Sequence, residues 1–370
     1  MSYRIVTNPN VSAGNRQDAE AVIVIVGCGG TGGFLAEAVC RLLIGRQAQL
    51  FLIDPDRVEP HNCLRQAFAE EEVGQFKAEV LARRLSRMYH RTIGYDVRPY
   101  DCQTHGGIWQ ATRADLPLLI GCVDNAAARA AIARSLFDSR DGGAPGYGAT
   151  PSRPAPWWLD LGNGEQEGQA FLGNAAYPRS LRGAFQLAAG TVSVLPAPSL
   201  QAPALLAAPP APQQQPAVDC AAAVDSGEQS PVINQAMAML GAVFVQQLLA
   251  GTCSWLQAAI NLTDGVLHTL SADPRLVARI SGVHTNTLVD RHDGQARYQE
   301  QGDSPRDATL AQVFGQEAVR TAQAELVHRT LEREALIQAM AQAPLDEQPG
   351  EDLLAALAAA QRGAAQREAS

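Results

Sequence analysis

An apolar run, Ala21-Val22-Ile23-Val24-Ile25-Val26, breaks into Gly27-Cys28-Gly29-Gly30-Thr31-Gly32, and no other stretch constrains the chain so tightly. A helical pattern follows, with Phe34, Leu35, Ala38, Val39, Leu42 and Leu43 at the spacing that packs one face on a sheet. A second apolar run, Leu50-Phe51-Leu52-Ile53, then ends on Asp54. Strand, glycine turn, helix, strand and acidic residue together make a nucleotide-binding βαβ unit. Gly27, Gly29, Gly30 and Gly32 let the backbone approach a phosphate, and the helix N-terminus adds N–H donors and a partial positive charge. Asp54 lies roughly 20 residues beyond the glycines, where a carboxylate reaches ribose hydroxyls. By itself the unit suits a nicotinamide dinucleotide as well as ATP.

The following residues alternate between helical and strand patterns. Residues 74–90 read as a helix, Tyr95, Val97 and Pro99 as a third strand, and Leu116–Val123 as a fourth that ends on Asp124. Residues 125–137 are Ala-rich and helical, and Gly45 suits the C-cap of the first helix. Such alternation predicts an α/β fold, a Rossmann-like, doubly wound, mostly parallel sheet with helices on both faces. Trp157–Leu161 and Gly168–Gly173 read as paired strands, and residues 231–250 as a long helix. Asp264-Gly265 marks a hairpin within 258–270. Residues 195–218 are so rich in Pro, Ala and Gln that they read as an extended, mobile connection unable to pack a core. Beyond about residue 305 the Ala, Gln and Glu content predicts amphipathic helices and a frayed tail. The expected organisation is an N-terminal arm over 1–19, a nucleotide-binding domain over 20–275, and a C-terminal helical extension over 276–370.

Composition narrows the function classes. A net charge of -9 over 370 residues leaves no electrostatic footprint for nucleic acid. No apolar run reads as long enough to cross a bilayer, and the N-terminus lacks the pattern of a signal peptide. The 7 cysteines include no Cys-x-x-Cys pair, which argues against a disulfide framework and against a zinc site. A reduced, cytoplasmic setting is the expectation.

The loop after Asp54 bears on the choice of nucleotide. It runs Asp54-Pro55-Asp56-Arg57-Val58-Glu59-Pro60-His61-Asn62-Cys63-Leu64-Arg65-Gln66, with Lys77 opening the next helix. Hydride transfer has no use for Arg, Asn and Lys gathered there, whereas a triphosphate does. Arg65 and Lys77 would neutralise phosphate charge, and Asn62 would donate to a phosphate oxygen. Asp124, at an adjacent strand end, is where Mg²⁺ would bridge the phosphates. Each residue alone also has an ordinary reading: Arg65 and Lys77 as surface cations, Asn62 as a turn former, Asp124 as the cap of the next helix.

In this order the motifs resemble the ThiF/MoeB superfamily, the adenylating enzymes that activate ubiquitin and its prokaryotic relatives. The carriers are the glycine motif, Asp-x-Asp-x-Val-x-x-x-Asn-x-x-Arg-Gln, Gly74-Gln75-Phe76-Lys77 and Val123-Asp124-Asn125. The resemblance covers about residues 20–175 and, more loosely, 219–270. Trp158–Asn163 with Gly168-Gln169, and Cys220 with Asn234-Gln235-Ala236, are similar to the branch found with plasmid-type PRTRC gene clusters. The resemblance implies ATP-dependent adenylation of a carboxylate, usually the C-terminal glycine of a small ubiquitin-like β-grasp protein. It implies ribose binding by Asp54, phosphate binding by Asn62, Arg65 and Lys77, a place for Gln66 among the nucleotide-binding residues, and Mg²⁺ at Asp124. It further implies a homodimer that borrows an N-terminal arginine, with Arg4 and Arg16 as candidates, and a downstream conjugating or sulfur-transfer protein. Cys220, between the Pro-rich segment and a helix, is a candidate nucleophile for an acyl thioester; the alternative is a buried, inert thiol. His61 and the Trp157-Trp158 pair are weaker candidates for ligand and partner surfaces. The rival functions are an NAD-dependent oxidoreductase, and a non-catalytic adaptor that keeps the fold.

Overall fold

The computed structural model describes residues 2–7, 20–111, 114–137, 156–207 and 230–289. The chain divides into two units, Met1–Ala296 and Arg297–Ser370. Every element below belongs to the first. Arg16, Cys220, residues 208–218 and the helices expected beyond 305 lie outside the described residues.

β1 (Arg4–Ile5) opens the chain, and Ala21–Val26 forms β2, buried along its whole length. Apolar side chains on both faces of a strand require cover on both sides, which is the condition of a central parallel strand. β2 lies between β3 (Ala48–Ile53) and β5 (Leu116–Gly121), parallel to both. The two-residue period divides the core. Ile23 and Ile25 join Leu50, Leu52, Leu118 and Ile120 on one face, while Val24 and Val26 join Leu119 on the other. α1 (Gly30–Leu42) and α2 (Lys77–Tyr89) cover the first face through Leu35, Val39, Leu81 and Leu85. α3 (Cys102–Ala111) and α4 (Ala126–Phe137) serve the second through Ile108, Ile132 and Leu136. With β4 (Gly94–Asp96), β6 (Trp157–Asn163), β7 (Glu167–Gly173), β10 (Trp255–Asn261) and β11 (Val266–Ser271), the eight-stranded sheet has the order β11-β10-β7-β6-β5-β2-β3-β4. β4, β3, β2, β5 and β6 run parallel, and β7, β10 and β11 follow as antiparallel neighbours. The fold is the expected Rossmann-like one.

Several local expectations change. The third strand stops at Asp96, because its Oδ1 accepts from the Arg98 backbone N–H at 2.9 Å and turns the chain. α3 carries two glycines that hide it; its signal is Asp101, whose Oδ1 accepts from the N–H groups of Gln103 and Thr104. α1 is capped by Leu43, and Gly45 lies beyond it at φ +72 in the reversing turn. Trp157 and Trp158 are both fully buried, one on each face of the sheet, so neither forms a surface.

Residues 195–207 pack instead of extending freely. Leu195 and Ala197 are fully buried, ahead of α5 (Pro198–Gln201). The Gln201 amide donates to the carbonyls of Leu172 and Pro196 at 2.9 and 2.7 Å. Proline at the first position of a helical turn loses no hydrogen bond, so a Pro-rich sequence is compatible with this docking. β1 pairs with β9 (Thr191–Val192), which pairs with β8 (Phe185–Gln186) in a separate small sheet. α6 (Pro231–Ala250) starts at a Ser230 cap and ends at Gly251 in the left-handed conformation. By length and composition alone α6 is long and apolar enough to cross a membrane, contrary to the expectation that no such segment exists. It buries Ile233, Met237, Phe244 and Leu248 in the first core and is a core helix. That core continues through Val277 and Ile280 of α7 (Pro274–Ser281) to Leu288 of α8 (Thr285–Leu288), so a boundary at 275 would cut α7.

Candidate nucleotide site at the strand ends

After β4 the chain crosses back to place β5 on the other side of β2, which creates a crevice at the carboxyl ends of these strands. Gly27, Asp54 and Asp124 all follow those ends. Gly27 has φ +89, and a Cβ there would lie 2.5 Å from the Cys122 carbonyl oxygen. A Cβ on Gly32 would lie 1.8 Å from the Gly27 carbonyl oxygen, so the first turn of α1 closes directly on the loop. No side chain caps α1, and its first turn holds no acidic residue. Its leading N–H groups are therefore suited to an anion.

Asp54 is buried and anchors the loop: Oδ2 accepts from the Cys28 N–H at 2.5 Å and Oδ1 from the Asp56 N–H at 2.8 Å. Burial pushes its carboxyl above the usual range, against these two N–H groups and Lys77. Asn62, also buried, accepts from the Glu59 N–H through Oδ1 at 3.0 Å and closes the 3₁₀ turn Pro60–Leu64. Its amide thus shapes the turn that leads into Arg65, the role its ordinary reading gave it. His61 is exposed beside Glu59, at 3.3 Å. Gln66 lies over Gly29, and its Oε1 is buried with no hydrogen-bond partner. An orphaned buried acceptor there fits a donor on a bound ligand.

Lys77 opens α2 with its side chain only 9% exposed, and Nζ is 3.3 Å from Asp56 Oδ2, whose own side chain is 67% exposed. A desolvated ammonium with a solvated partner is poised to exchange it for a stronger anion. Asp124 is exposed after β5. Capping of α4 falls to Asn125, whose Oδ1 accepts from the Ala128 N–H at 2.8 Å, so the capping reading of Asp124 does not hold. One exposed carboxylate at a strand end fits Mg²⁺, which keeps waters and takes substrate phosphates as its other ligands. Among the described residues no group of three or more His, Cys, Asp or Glu is gathered to hold a metal.

Two features were not legible as site elements in the sequence. Asp160 is fully buried in β6, with Arg129 Nε of α4 at 3.2 Å from each carboxylate oxygen. Burial pushes its carboxyl up to about 6, with the guanidinium opposing. The available signal was one acid inside an apolar strand, which demands a buried partner. The second feature is a chain of polar side chains: Thr31 Oγ1 donates to Asn163 Oδ1 at 3.0 Å, and Asn163 Nδ2 to Asn234 Oδ1 at 3.2 Å. Asn234 Nδ2 then donates to the Arg65 carbonyl at 3.3 Å. Among the thiols, burial pushes Cys40 up to about 11 and Cys253 up to about 12, and raises Cys28 and Cys122. These four are packing residues. Arg4 is exposed on β1.

A sequence model of the ThiF family matches residues 9–141. Ubiquitin-like modifier-activating enzyme 5 of Dictyostelium discoideum is 32% identical over 127 residues, 31% of this chain and 32% of that protein. ATP-dependent ubiquitin transferase-like protein Cap2 of Escherichia coli (strain TW11681) is 34% identical over 87 residues, 22% of this chain and 15% of that protein. The matched region thus spans a third or less of these relatives. Among solved structures, E. coli MccB with succinimide superposes with a TM-score of 0.42 at 16% identity, over 70% of this chain and 65% of that one.

Proposed function

We propose that this chain, of ThiF-family sequence over residues 9–141, binds ATP at the carboxyl ends of β2, β3 and β5 and adenylates a carboxylate. The observation that supports this reading is the set of groups that follow the carboxyl ends of adjacent parallel strands: an uncapped helix N-terminus, buried Asp54 and Lys77, the Arg65 turn and the exposed Asp124. In this reading Asp54 binds the ribose, and Arg65 and Lys77 bind the phosphates. Asp124 would hold Mg²⁺, which when bound supplies charge neutralisation for the triphosphate. A substrate carboxylate oxygen attacks the α-phosphorus, the α–β phosphoanhydride breaks, and pyrophosphate leaves with the electron pair. The cations stabilise the charge that gathers on the leaving group.

The substrate we favour is the C-terminal glycine of a ubiquitin-like β-grasp protein, with the enzyme working as a homodimer. The names of the relatives support a ubiquitin-like partner. Radiolabelled pyrophosphate should exchange into ATP when the chain is mixed with Mg²⁺ and its carboxylate partner. Asp124→Ala should abolish that exchange and move stability by less than about 0.5 kcal/mol, as expected for an exposed side chain. Near-normal exchange in the variant would remove Asp124 from the metal role.

A second step belongs to the same proposal. The Cys220 thiolate attacks the acyl carbon, AMP leaves, and a thioester forms. It should appear as a thiol-sensitive adduct on a non-reducing gel, and an undiminished adduct in Cys220→Ala would refute the assignment.

A further inference from the structure

Asn234 is fully buried in the first turns of α6, yet both ends of its amide are engaged by distant parts of the chain. The donors all point one way: Thr31 hydroxyl to Asn163, Asn163 amide to Asn234, Asn234 amide to the Arg65 carbonyl. The chain therefore joins the first turn of α1, the end of β6, the start of α6 and the backbone of Arg65. Gly30 supplies an independent observation. A Cβ there would lie 2.3 Å from Asn234 Nδ2, so the amide is seated directly on the glycine loop. Burying an amide is costly unless its hydrogen bonds are made, and here they are made to the elements that frame the crevice.

We infer that Asn234 is a positioning residue for the nucleotide site: it holds the backbone of Arg65 at a fixed distance from the N-terminus of α1. The inference rests on the adenylation reading, because Arg65 matters there as a phosphate ligand. Removing the Asn234 donor leaves the Arg65 carbonyl without this tether and lets the Pro60–Phe68 turn shift relative to the glycine loop. Small displacements of a charged ligand are expensive for phosphoryl chemistry. Asn234→Asp is the sharpest substitution, because it keeps the acceptor for Asn163 and turns the donor facing Arg65 into an acceptor. Asn234→Ala removes both bonds.

The test has two arms on the full chain. In the ligand-free protein, amide hydrogen exchange over residues 60–68 should quicken by roughly tenfold in Asn234→Asp and Asn234→Ala, with the β10–β11 hairpin unchanged as an internal reference. Unchanged exchange over 60–68 in a folded variant overturns the inference, whether or not the protein binds ATP. In the second arm ATP–Mg²⁺ is titrated into wild type, Asn234→Ala, Arg65→Ala and the double variant. Asn234→Ala should weaken binding by roughly tenfold in wild type and have almost no effect once Arg65 is alanine. Equal effects in both backgrounds would mean that Asn234 acts on general stability, and would also overturn the inference. Quickened exchange with no ATP binding by wild type would instead refute the adenylation reading, leaving Asn234 as the tether of this turn.

Discussion

Lys77→Met should lower pyrophosphate exchange by about 100-fold to 1,000-fold, the loss typical of removing one preorganised group from a charge-stabilising site. The same substitution should leave thermal stability unchanged or raised. Lys77 is desolvated at the head of α2, and its Nζ partner Asp56 lies 3.3 Å away with a largely solvated carboxylate. Replacing a buried ammonium by an apolar side chain of similar shape removes a desolvation cost; the Asp56 carboxylate stays in water, and buried Asp54 loses the charge of Lys77 but keeps its two N–H donors. A lysine kept for folding would give the opposite pair of results, lower stability with exchange retained. Measuring exchange and a thermal melt on one preparation separates the two.

Gly32→Ala should destabilise the chain by about 3 kcal/mol, the upper end of the cost of forcing extra atoms into a packed interior. For a domain of this size that is a fall in melting temperature of roughly 6–12 °C. The added Cβ would meet the Gly27 carbonyl oxygen at 1.8 Å, and that oxygen is backbone, not the end of a flexible side chain. The loop or the helix must move, and either motion spoils the anion cradle, so ATP–Mg²⁺ should cease to raise the melting temperature. Gly106→Ala in α3 is the matched control. Nothing lies within 4 Å of its added Cβ, and alanine is the better helix former. A Gly32→Ala protein that melts like wild type would show that the turn is not closed as described.

Much of the site was legible along the chain because its parts are local. The apolar run, the glycines and Asp54 define a βαβ unit through periodicity and turn chemistry, which need no distant partner. The loop from Asp54 to Gln66 and the start of α2 follow within the next residues. α6 was equally clear, since apolar residues recur at helical spacing through 231–250; the structure adds the Ser230 cap and the Gly251 end. The Pro-rich segment misled because composition does not show which carbonyls a buried glutamine will reach. Gln201 reaches those of Leu172 and Pro196, and residues 195–207 dock.

Sequence pattern alone fixes the βαβ unit with its glycine loop, the alternation that winds the sheet around it, and the polar residue types in the loop that follows Asp54. Tertiary structure decided which of those residues also hold the site together. Asn125 rather than Asp124 caps α4, Asn62 closes the turn before Arg65, and Asp54 fixes the glycine loop through the Cys28 N–H. The Thr31–Asn163 and Asn234–Arg65 bonds span 132 and 169 residues of chain. Local propensity carries no information over such separations. Only the order of strands in the sheet brings β6 and α6 to the end of β2, and with them the two asparagines that seat Arg65.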